Sequence, residues 1–223
     1  MIKSDFLWIF ILLALTSIVI IPYTRSIFED ATASHPYLMG FIKTSILASL
    51  GERLVHRIKT GRYFGDHGIF LKWIVWGFLG MIFVIIFKIY ASGVNAAEQA
   101  HLLPFISQDT FISTLLTAFL ISTLMNIFFA PSFMMLHRIT DTYIELGDGN
   151  IKKIVHIPIN DVVGHIDFVV FFKFVVFKTI PFFWIPAHTI TFLLPENYRV
   201  LMAAYLSVIL GILLSVVKPK KES

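Results

Sequence analysis

The chain contains no cysteine, which excludes disulfide bonds, thiol catalysis and metal sites built on cysteine ligands. Charged residues are also scarce. They make up 14% of the 223 residues, whereas an ordinary soluble domain has about a quarter. Hydrophobic residues account for 57% of the chain. The composition therefore predicts a polytopic membrane protein rather than a soluble domain.

The sequence also lacks the short motifs of common enzyme classes. It has no HExxH zinc motif, no GxSxG nucleophile elbow, no P-loop and no dinucleotide-binding fingerprint. The net charge of +4 comes from short segments that flank apolar ones, where positive charge sets the orientation of a protein in a membrane. We therefore expect no catalytic residue, no enzymatic activity, no cofactor or metal and no nucleic-acid partner.

Six apolar segments have about the 20 residues that a membrane-spanning helix needs. They lie at about 5–22, 37–56, 69–92, 111–135, 166–190 and 197–217. They predict an all-α transmembrane helical bundle of about six helices, forming one integral membrane domain over residues 1–223. Residues 1–34 would be an N-terminal helix and linker, and 136–165 a cytoplasmic-side extension. The first segment lacks a presequence and a cleavage site, so we expect it to be retained, either spanning the membrane or lying on its surface.

Prolines predict where these segments end or bend. Pro22 would end the first segment, and the polar stretch after it predicts a short loop. Pro131 predicts a kink in the fourth segment. Pro181 and Pro186 interrupt the fifth, which is either one kinked span or two half-helices.

The basic residues favour one orientation of this bundle. If all six segments span and both termini are cytoplasmic, eleven Lys and Arg residues lie on that side and two on the other. The eleven are Lys3, Arg53, Arg57, Lys59, Arg62, Arg138, Lys152, Lys153, Lys218, Lys220 and Lys221, and the two are Arg25 and Arg199. The sequence thus predicts both termini on the cytoplasmic side.

Small residues predict faces where helices approach each other closely. In the last segment they recur every four residues, which is the small-xxx-small pattern of close helix packing in lipid. The predicted packing positions are Gly40, Gly51, Gly77, Gly80, Ala203, Ser207, Gly211 and Ser215. The stripe from Ala203 to Ser215 would also serve a homo-oligomer.

Beside the small residues of the second segment lies a polar stripe of Ser45, Ser49, Glu52 and His56. Glu52 and His56 could pair with neighbouring arginines at the cytoplasmic boundary, line a polar cavity, or take part in metal or acid–base chemistry. Other ionisable or polar groups inside apolar segments cost several kcal/mol unless they are paired or hydrated. The pore-lining or buried polar candidates are Lys43, Ser45, Ser49, Glu52, His56, Asn126, Lys173, Lys178, His188 and Arg199.

Several stretches resemble the twenty-two-kilodalton peroxisomal membrane protein family, also called the Mpv-seventeen family. Glu and His stand where that family has Asp and Gln in its first motif, and Met125 stands where it has Asp. The resemblance covers about residues 35–218, with the N-terminal helix as an extra. The residues that carry it are His35, Pro36, Gly51, Glu52, His56, Gly80, Phe87, Lys88, Asn126, Pro131, Pro186, Pro195, Arg199, Leu214 and Ser215.

This resemblance implies a small integral protein of the peroxisomal or mitochondrial inner membrane, or of the cytoplasmic membrane in a bacterial relative. Several members are described as channels for small solutes. Together with the polar candidates, it predicts a channel or pore for small polar or anionic solutes. One alternative is a membrane scaffold or regulator of a membrane complex that transports nothing. Another is an intramembrane metal enzyme that uses Glu52, His56 and His165.

Overall fold

The computed structural model describes residues 3–106 and 110–216, with side chains up to residue 213. These residues form helices and no strand, which confirms the predicted all-α bundle. The elements are α1 (Lys3–Ile20), α2 (Pro22–Ser34), α3 (Pro36–Thr60), α4 (Ile69–Gln99), α5 (Phe111–Phe128), α6 (Ala130–Leu146), α7 (Ile151–Ile154), α8 (Ile159–Gly164), α9 (Phe168–Val170), a π-helix (Phe171–Trp184), α10 (Ile185–Leu193) and α11 (Glu196–Val216).

Five stretches of the described chain are long and apolar enough to cross a membrane, so the protein is an integral membrane protein. They are α1, α4, α5, the continuous helix Phe168–Leu193 and α11. The predicted span at 37–56 is not among them because Lys43, Glu52 and Arg53 lie within it. With 25 residues, α3 still has the length of a span. It packs between α4 and α11, where protein rather than lipid surrounds its polar groups.

Side-chain pairs fix which ends of the helices lie together. At one end, which we call the basic end, Arg57 of α3 binds Asp5 of α1, with 2.9 Å between Nε and Oδ1. At the opposite end Lys88 of α4 binds Glu196 of α11, with 2.9 Å between Nζ and Oε2. The start of α1 and the last described turns of α11 therefore both lie at the basic end.

The segment between the first two apolar stretches is a helix, so the predicted short loop is wrong. Pro22 occupies the first turn of α2, where its missing N–H breaks no helical hydrogen bond. It therefore starts a helix as well as ending one. The buried face of α2 carries Phe28 and Thr32, and Glu29 accepts a hydrogen bond from the Tyr198 hydroxyl of α11.

Glycines set the spacing of α3 against its two neighbours. A Cβ on Gly40 would lie 2.7 Å from Cγ2 of Val84 and 2.9 Å from the backbone oxygen of Gly80. A Cβ on Gly51 would lie 2.9 Å from the backbone carbon of Ser207. Gly77 likewise lies against the Phe41 ring. Burial in lipid gives little force between apolar helices, so this close backbone packing is what holds the bundle together.

The predicted stripe on α11 also faces inward. Ala203 is buried, and Gly211 lies against Gly51 and Val55 of α3. The side chain of Ser215 lies outside the described residues. The part of the stripe that the structure describes therefore packs within the chain.

The segment around Pro181 is one continuous helix rather than two half-helices. Its central 14 residues are π-helical, with hydrogen bonds that reach back five residues instead of four. Exposed side chains consequently recur every five residues, at Phe172, Phe177 and Phe182. In the fourth segment, a turn at Phe129 separates α5 from α6 just before Pro131, where a kink was predicted.

Candidate functional site

Two adjoining cavities lie between α3, α4, α6, the π-helix and α11. The outer cavity, of about 600 Å³, reaches the basic end, where His56, Lys59, Asp66 and His67 line its mouth. The inner cavity, of about 570 Å³, extends into the bundle. We call the two together the chamber. Their shared walls are formed by Ala48, Lys59, Trp76, Asp141, Trp184, Ser207 and Leu210.

A carboxylate–imidazole–carboxylate cluster lies on the chamber wall. His137 of α6 has Nε2 3.5 Å from Oε1 of Glu52 on α3. Its other ring nitrogen, Nδ1, is 3.5 Å from Oδ2 of Asp141, one helical turn later on α6. The three side chains are 13–23% exposed. We call this set the triad.

The surroundings of the triad are polar and aromatic. The Trp76 ring lies against the His137 ring, with 4.3 Å between the centroids. Lys72 of α4 approaches Glu145, with 3.6 Å between Nζ and Oε1. Burial opposes a charge on His137, but the nearby Glu52 and Asp141 carboxylates outweigh it and raise the pKa of His137. Burial raises the pKa of the Asp141 carboxyl despite its neighbouring imidazole.

His188 of α10 lines the inner cavity and is held in place from behind by Asn126 of α5. The Asn126 side-chain amide donates to the backbone oxygen of Ser122 at 2.8 Å and lies 3.1 Å from Nδ1 of His188. The His188 ring stacks on the Trp184 indole, with centroids 5.2 Å apart. Six enclosed polar atoms of residues that line the inner cavity have no hydrogen-bond partner in the described part of the protein. Three of them lie away from the triad: Thr44 Oγ1, Trp184 Nε1 and His188 Nε2. The other three are Trp76 Nε1, His137 Nε2 and Asp141 Oδ1.

Between the chamber and the opposite end of the bundle, the helices are in close contact. There α3 and α4 touch at Gly40 and Gly80. Phe87, Phe192 and Val200 form part of the buried core beside this contact. The described residues thus place the mouth of the chamber at the basic end.

A buried ion pair orders the loop beside that mouth. Arg53 of α3 is 6% exposed and donates through both terminal nitrogens to Asp66, with 2.7 Å between Nη2 and Oδ2. It also donates to the backbone oxygen of Tyr63 at 3.3 Å. The hydrogen bond from Arg53 lowers the pKa of Asp66.

The structure divides the predicted polar stripe between two environments. Ser45 donates to the backbone oxygen of Trp73 at 2.9 Å, and Ser45 and Ser49 line an apolar groove beside α1. Glu52 lines the outer cavity and His56 its mouth. Only the second half of the stripe therefore belongs to the chamber.

Two of the predicted cationic residues, Lys43 and Arg199, lie at the opposite end of the bundle. Lys43 is buried and donates to Thr32 Oγ1 at 2.9 Å and to the backbone oxygen of Asn197 at 3.3 Å. Arg199 donates to the backbone oxygen of Leu194 at 3.0 Å. Both line a separate pocket of about 180 Å³ and not the chamber.

Lys173 and Lys178 lie on the exposed face of the π-helix. They are five residues apart, so the i+5 repeat of this helix puts them on the same side. The structure does not bring either of them to Glu52. Asn126 and His188, in contrast, are buried beside the inner cavity as a hydrogen-bonded pair.

Sequence reasoning missed His137 and Asp141 as partners of Glu52. Their i, i+4 spacing places both on one face of a helix, but the same spacing recurs at Asp161 and His165. In that second pair, Asp161 lies on α8 and His165 directly follows this helix; both are exposed, and His165 Nδ1 is 2.7 Å from the backbone oxygen of Asp161. The predicted metal set of Glu52, His56 and His165 is therefore not gathered in the structure.

The triad is compact enough to hold a metal ion. One ligand atom from each of Glu52, His137 and Asp141 lies within 4.8 Å of the other two. One imidazole and two carboxylates are donors suited to zinc, manganese and iron.

A comparison with protein-family models, curated proteins and solved structures finds no match for this chain. The resemblance to the twenty-two-kilodalton peroxisomal family therefore stays a prediction. The geometry of the chamber is thus the basis for assigning a function.

Proposed function

We propose that this membrane protein gives a small polar or anionic solute a gated path across the bilayer, with the chamber as its binding site. The observation that carries the proposal is the set of unpartnered polar atoms on the inner wall, Thr44 Oγ1, Trp184 Nε1 and His188 Nε2. A buried polar group without a partner costs about 1–3 kcal/mol. A solute or water inside the chamber would recover that free energy.

The types of these groups favour a solute rich in hydrogen-bond acceptors. An indole N–H only donates, and the Thr44 hydroxyl can donate as well. His188 Nδ1 lies 3.1 Å from the amide nitrogen of Asn126 and 3.2 Å from its oxygen; in the tautomer that accepts from the amide N–H, Nε2 carries the ring proton and is a third donor. Carboxylate, phosphate and carbonyl oxygens are the acceptors that three such donors would bind.

The closed opposite end implies that the path is gated rather than a permanently open pore. For a solute to leave there, α3 and α4 must separate at the contact of Gly40 with Gly80. This step is a conformational change of packed helices, which occurs in microseconds to milliseconds. The path requires no catalytic residue, so we do not propose an enzyme.

The basic residues support a cytoplasmic position for the mouth of the chamber. Arg53, Arg57, Lys59 and Arg62 all lie at the basic end or in the turn that follows it, and short cytoplasmic loops are rich in Lys and Arg. The membrane would be the cytoplasmic membrane in a bacterium, or the mitochondrial inner or peroxisomal membrane in a eukaryote.

The exposed lysines of the π-helix support a homo-oligomer. Lys178 lies on an outer face inside a candidate span, and a lysine that faces hydrocarbon costs several kcal/mol. A second copy packed on this face would remove that exposure.

The scaffold alternative has less support, because the described part of the α11 stripe packs against α3 and is not free for a partner.

Solute release from liposomes tests the proposal. Protein reconstituted into sealed vesicles should release a trapped small organic anion faster than protein-free vesicles do. Leu210 lines both cavities, so Leu210→Trp should slow the release about ten-fold or more by narrowing the passage between them, which corresponds to about 1.4 kcal/mol in the barrier.

Its neighbour Ile209, 41% exposed on the outer face of α11, supplies the matched control. Ile209→Trp adds the same side chain toward lipid and should leave release unchanged. Folded protein that keeps the vesicles tight, or equal slowing by both variants, would contradict the chamber as the path.

A further inference from the structure

We infer that Glu52, His137 and Asp141 form a binding site for one divalent transition-metal ion. Three observations support the site: the positions of the ligand atoms, their missing hydrogen-bond partners and the local charge balance. None of them requires that a solute cross the chamber.

The first support is geometric. Metal–ligand distances near 2.0–2.2 Å around a tetrahedral ion place neighbouring ligand atoms about 3.3–3.6 Å apart. His137 Nε2 and Glu52 Oε1 are 3.5 Å apart, and all three ligand atoms lie within 4.8 Å of one another. Small side-chain rotations on two rigid helices, α3 and α6, would complete the ligand set.

The second support is the pattern of hydrogen bonding. His137 Nε2 and Asp141 Oδ1 are both enclosed and lack a hydrogen-bond partner in the protein. Asp141 Oδ2 faces His137 Nδ1. A proton on Nδ1 would leave the lone pair of Nε2 directed toward the Glu52 carboxylate and available to a metal ion, with the unpartnered Asp141 Oδ1 as the oxygen of the second carboxylate. Two lone pairs that face each other repel, and either a proton on Nε2 or a metal ion between the two atoms removes that repulsion.

The third support is charge. Lys72 approaches Glu145, whereas the Glu52 and Asp141 carboxylates lie beside His137. When both carboxylates are ionised and His137 is neutral, the triad carries two negative charges, which are costly in a partly buried site. A proton on His137 would cancel one of them, whereas a divalent cation would cancel both.

Of the other charged groups near the two cavities, Arg138 is an exposed residue on the inner one, and the rest are already engaged or lie at the mouth. Arg53 is bound to Asp66, while Lys59, His56 and His67 lie at the mouth. A metal ion would reach the triad through the outer cavity, which gives the site access from the basic end. One nitrogen and two oxygen donors fit Zn²⁺, Mn²⁺ or Fe²⁺ better than the soft-metal sites that need thiolates.

Equilibrium metal binding tests the inference. Purified protein, stripped with a chelator, would be titrated with Zn²⁺ and with Mn²⁺ by calorimetry, and its metal content measured after dialysis. We expect one ion per chain. Glu52→Gln and Asp141→Asn should each weaken binding about ten-fold or more, and His137→Gln should abolish it.

His165→Gln is the matched control, because His165 also has an aspartate four residues away but is exposed at the end of α8. It should bind like the unmodified protein. Binding no tighter in the unmodified protein than in His137→Gln would overturn the inference and leave protonated His137 as the cation of the triad. Equal losses in all four variants would also overturn it.

Thermal unfolding of each variant without metal shows whether it folds. Should the triad variants fail to fold, Co²⁺ absorption by the unmodified protein decides the question. Intense visible bands of a four- or five-coordinate ion support the site, and the weak bands of the hydrated ion contradict it.

Discussion

Replacing Gly80 with alanine should destabilise the protein by about 1–3 kcal/mol, the usual cost of overpacking a closely packed site. The new Cβ would meet the backbone oxygen of Gly40 and lie 2.6 Å from Cβ of Thr44. Neither contact can be relieved by rotating a flexible side chain. Thermal or denaturant unfolding in detergent would measure the loss.

The same helix provides a control for this substitution. Gly93 is also in α4, but a Cβ there would meet no atom within 4 Å. Gly93→Ala should leave stability unchanged or raise it by up to about 1 kcal/mol through helix propensity. If both variants behaved alike, the close contact of α3 with α4 would not be what holds these helices together.

Asp66→Asn should destabilise the protein by about 1–2 kcal/mol, because it leaves the buried Arg53 guanidinium without its carboxylate. Breaking a fully buried pair costs about 3–5 kcal/mol, and we reduce that figure because a quarter of the Asp66 side chain is exposed and solvent screens it. Thermal unfolding of both proteins would measure the difference at neutral pH.

The pH dependence of this difference has a defined sign. Arg53 lowers the pKa of folded Asp66 below its ordinary value of 3.8. The pair therefore stabilises the protein fully above that ordinary value and loses its contribution as the pH falls through the lowered pKa. The gap between the unmodified protein and Asp66→Asn should close in strong acid.

Asp148 provides the matched control for Asp66. Its pair with Lys153 is on the surface, with both side chains about 60% exposed, so Asp148→Asn should change stability little. A loss as large as that of Asp66→Asn would contradict a special role for the buried Arg53.

The sequence predicted the apolar helices and the close glycine positions because hydropathy and residue size are local features. It misread α2 because a proline can end one helix and start the next, and no local pattern at Pro22 decides between the two. It also associated Lys173 and Lys178 with an interior cavity, whereas the five-residue repeat of the π-helix puts both on the outside.

The chamber itself was less predictable. The contact of Glu52 with His137 joins α3 to α6, which are far apart in sequence, and depends on how both helices tilt against α4. His137–Asp141 and Asp161–His165 have equivalent spacing, and only the fold distinguishes the buried pair from the exposed one. Asn126 and His188 were found because a polar residue inside an apolar segment is itself a signal.

A water-accessible chamber should open at the basic end of the bundle. Single-cysteine labelling tests this most directly, because the natural chain has no cysteine. Ser207 lines both cavities, and a cysteine there differs from serine by one atom. In oriented vesicles, Ser207→Cys should react with a membrane-impermeant maleimide added on the side of the 61–68 loop, and not from the other side. Ile209→Cys, which faces outward on the same helix, should react from neither side, since a thiol in lipid stays protonated. If Ser207→Cys were as inert as Ile209→Cys while the protein stayed folded, the account would be contradicted.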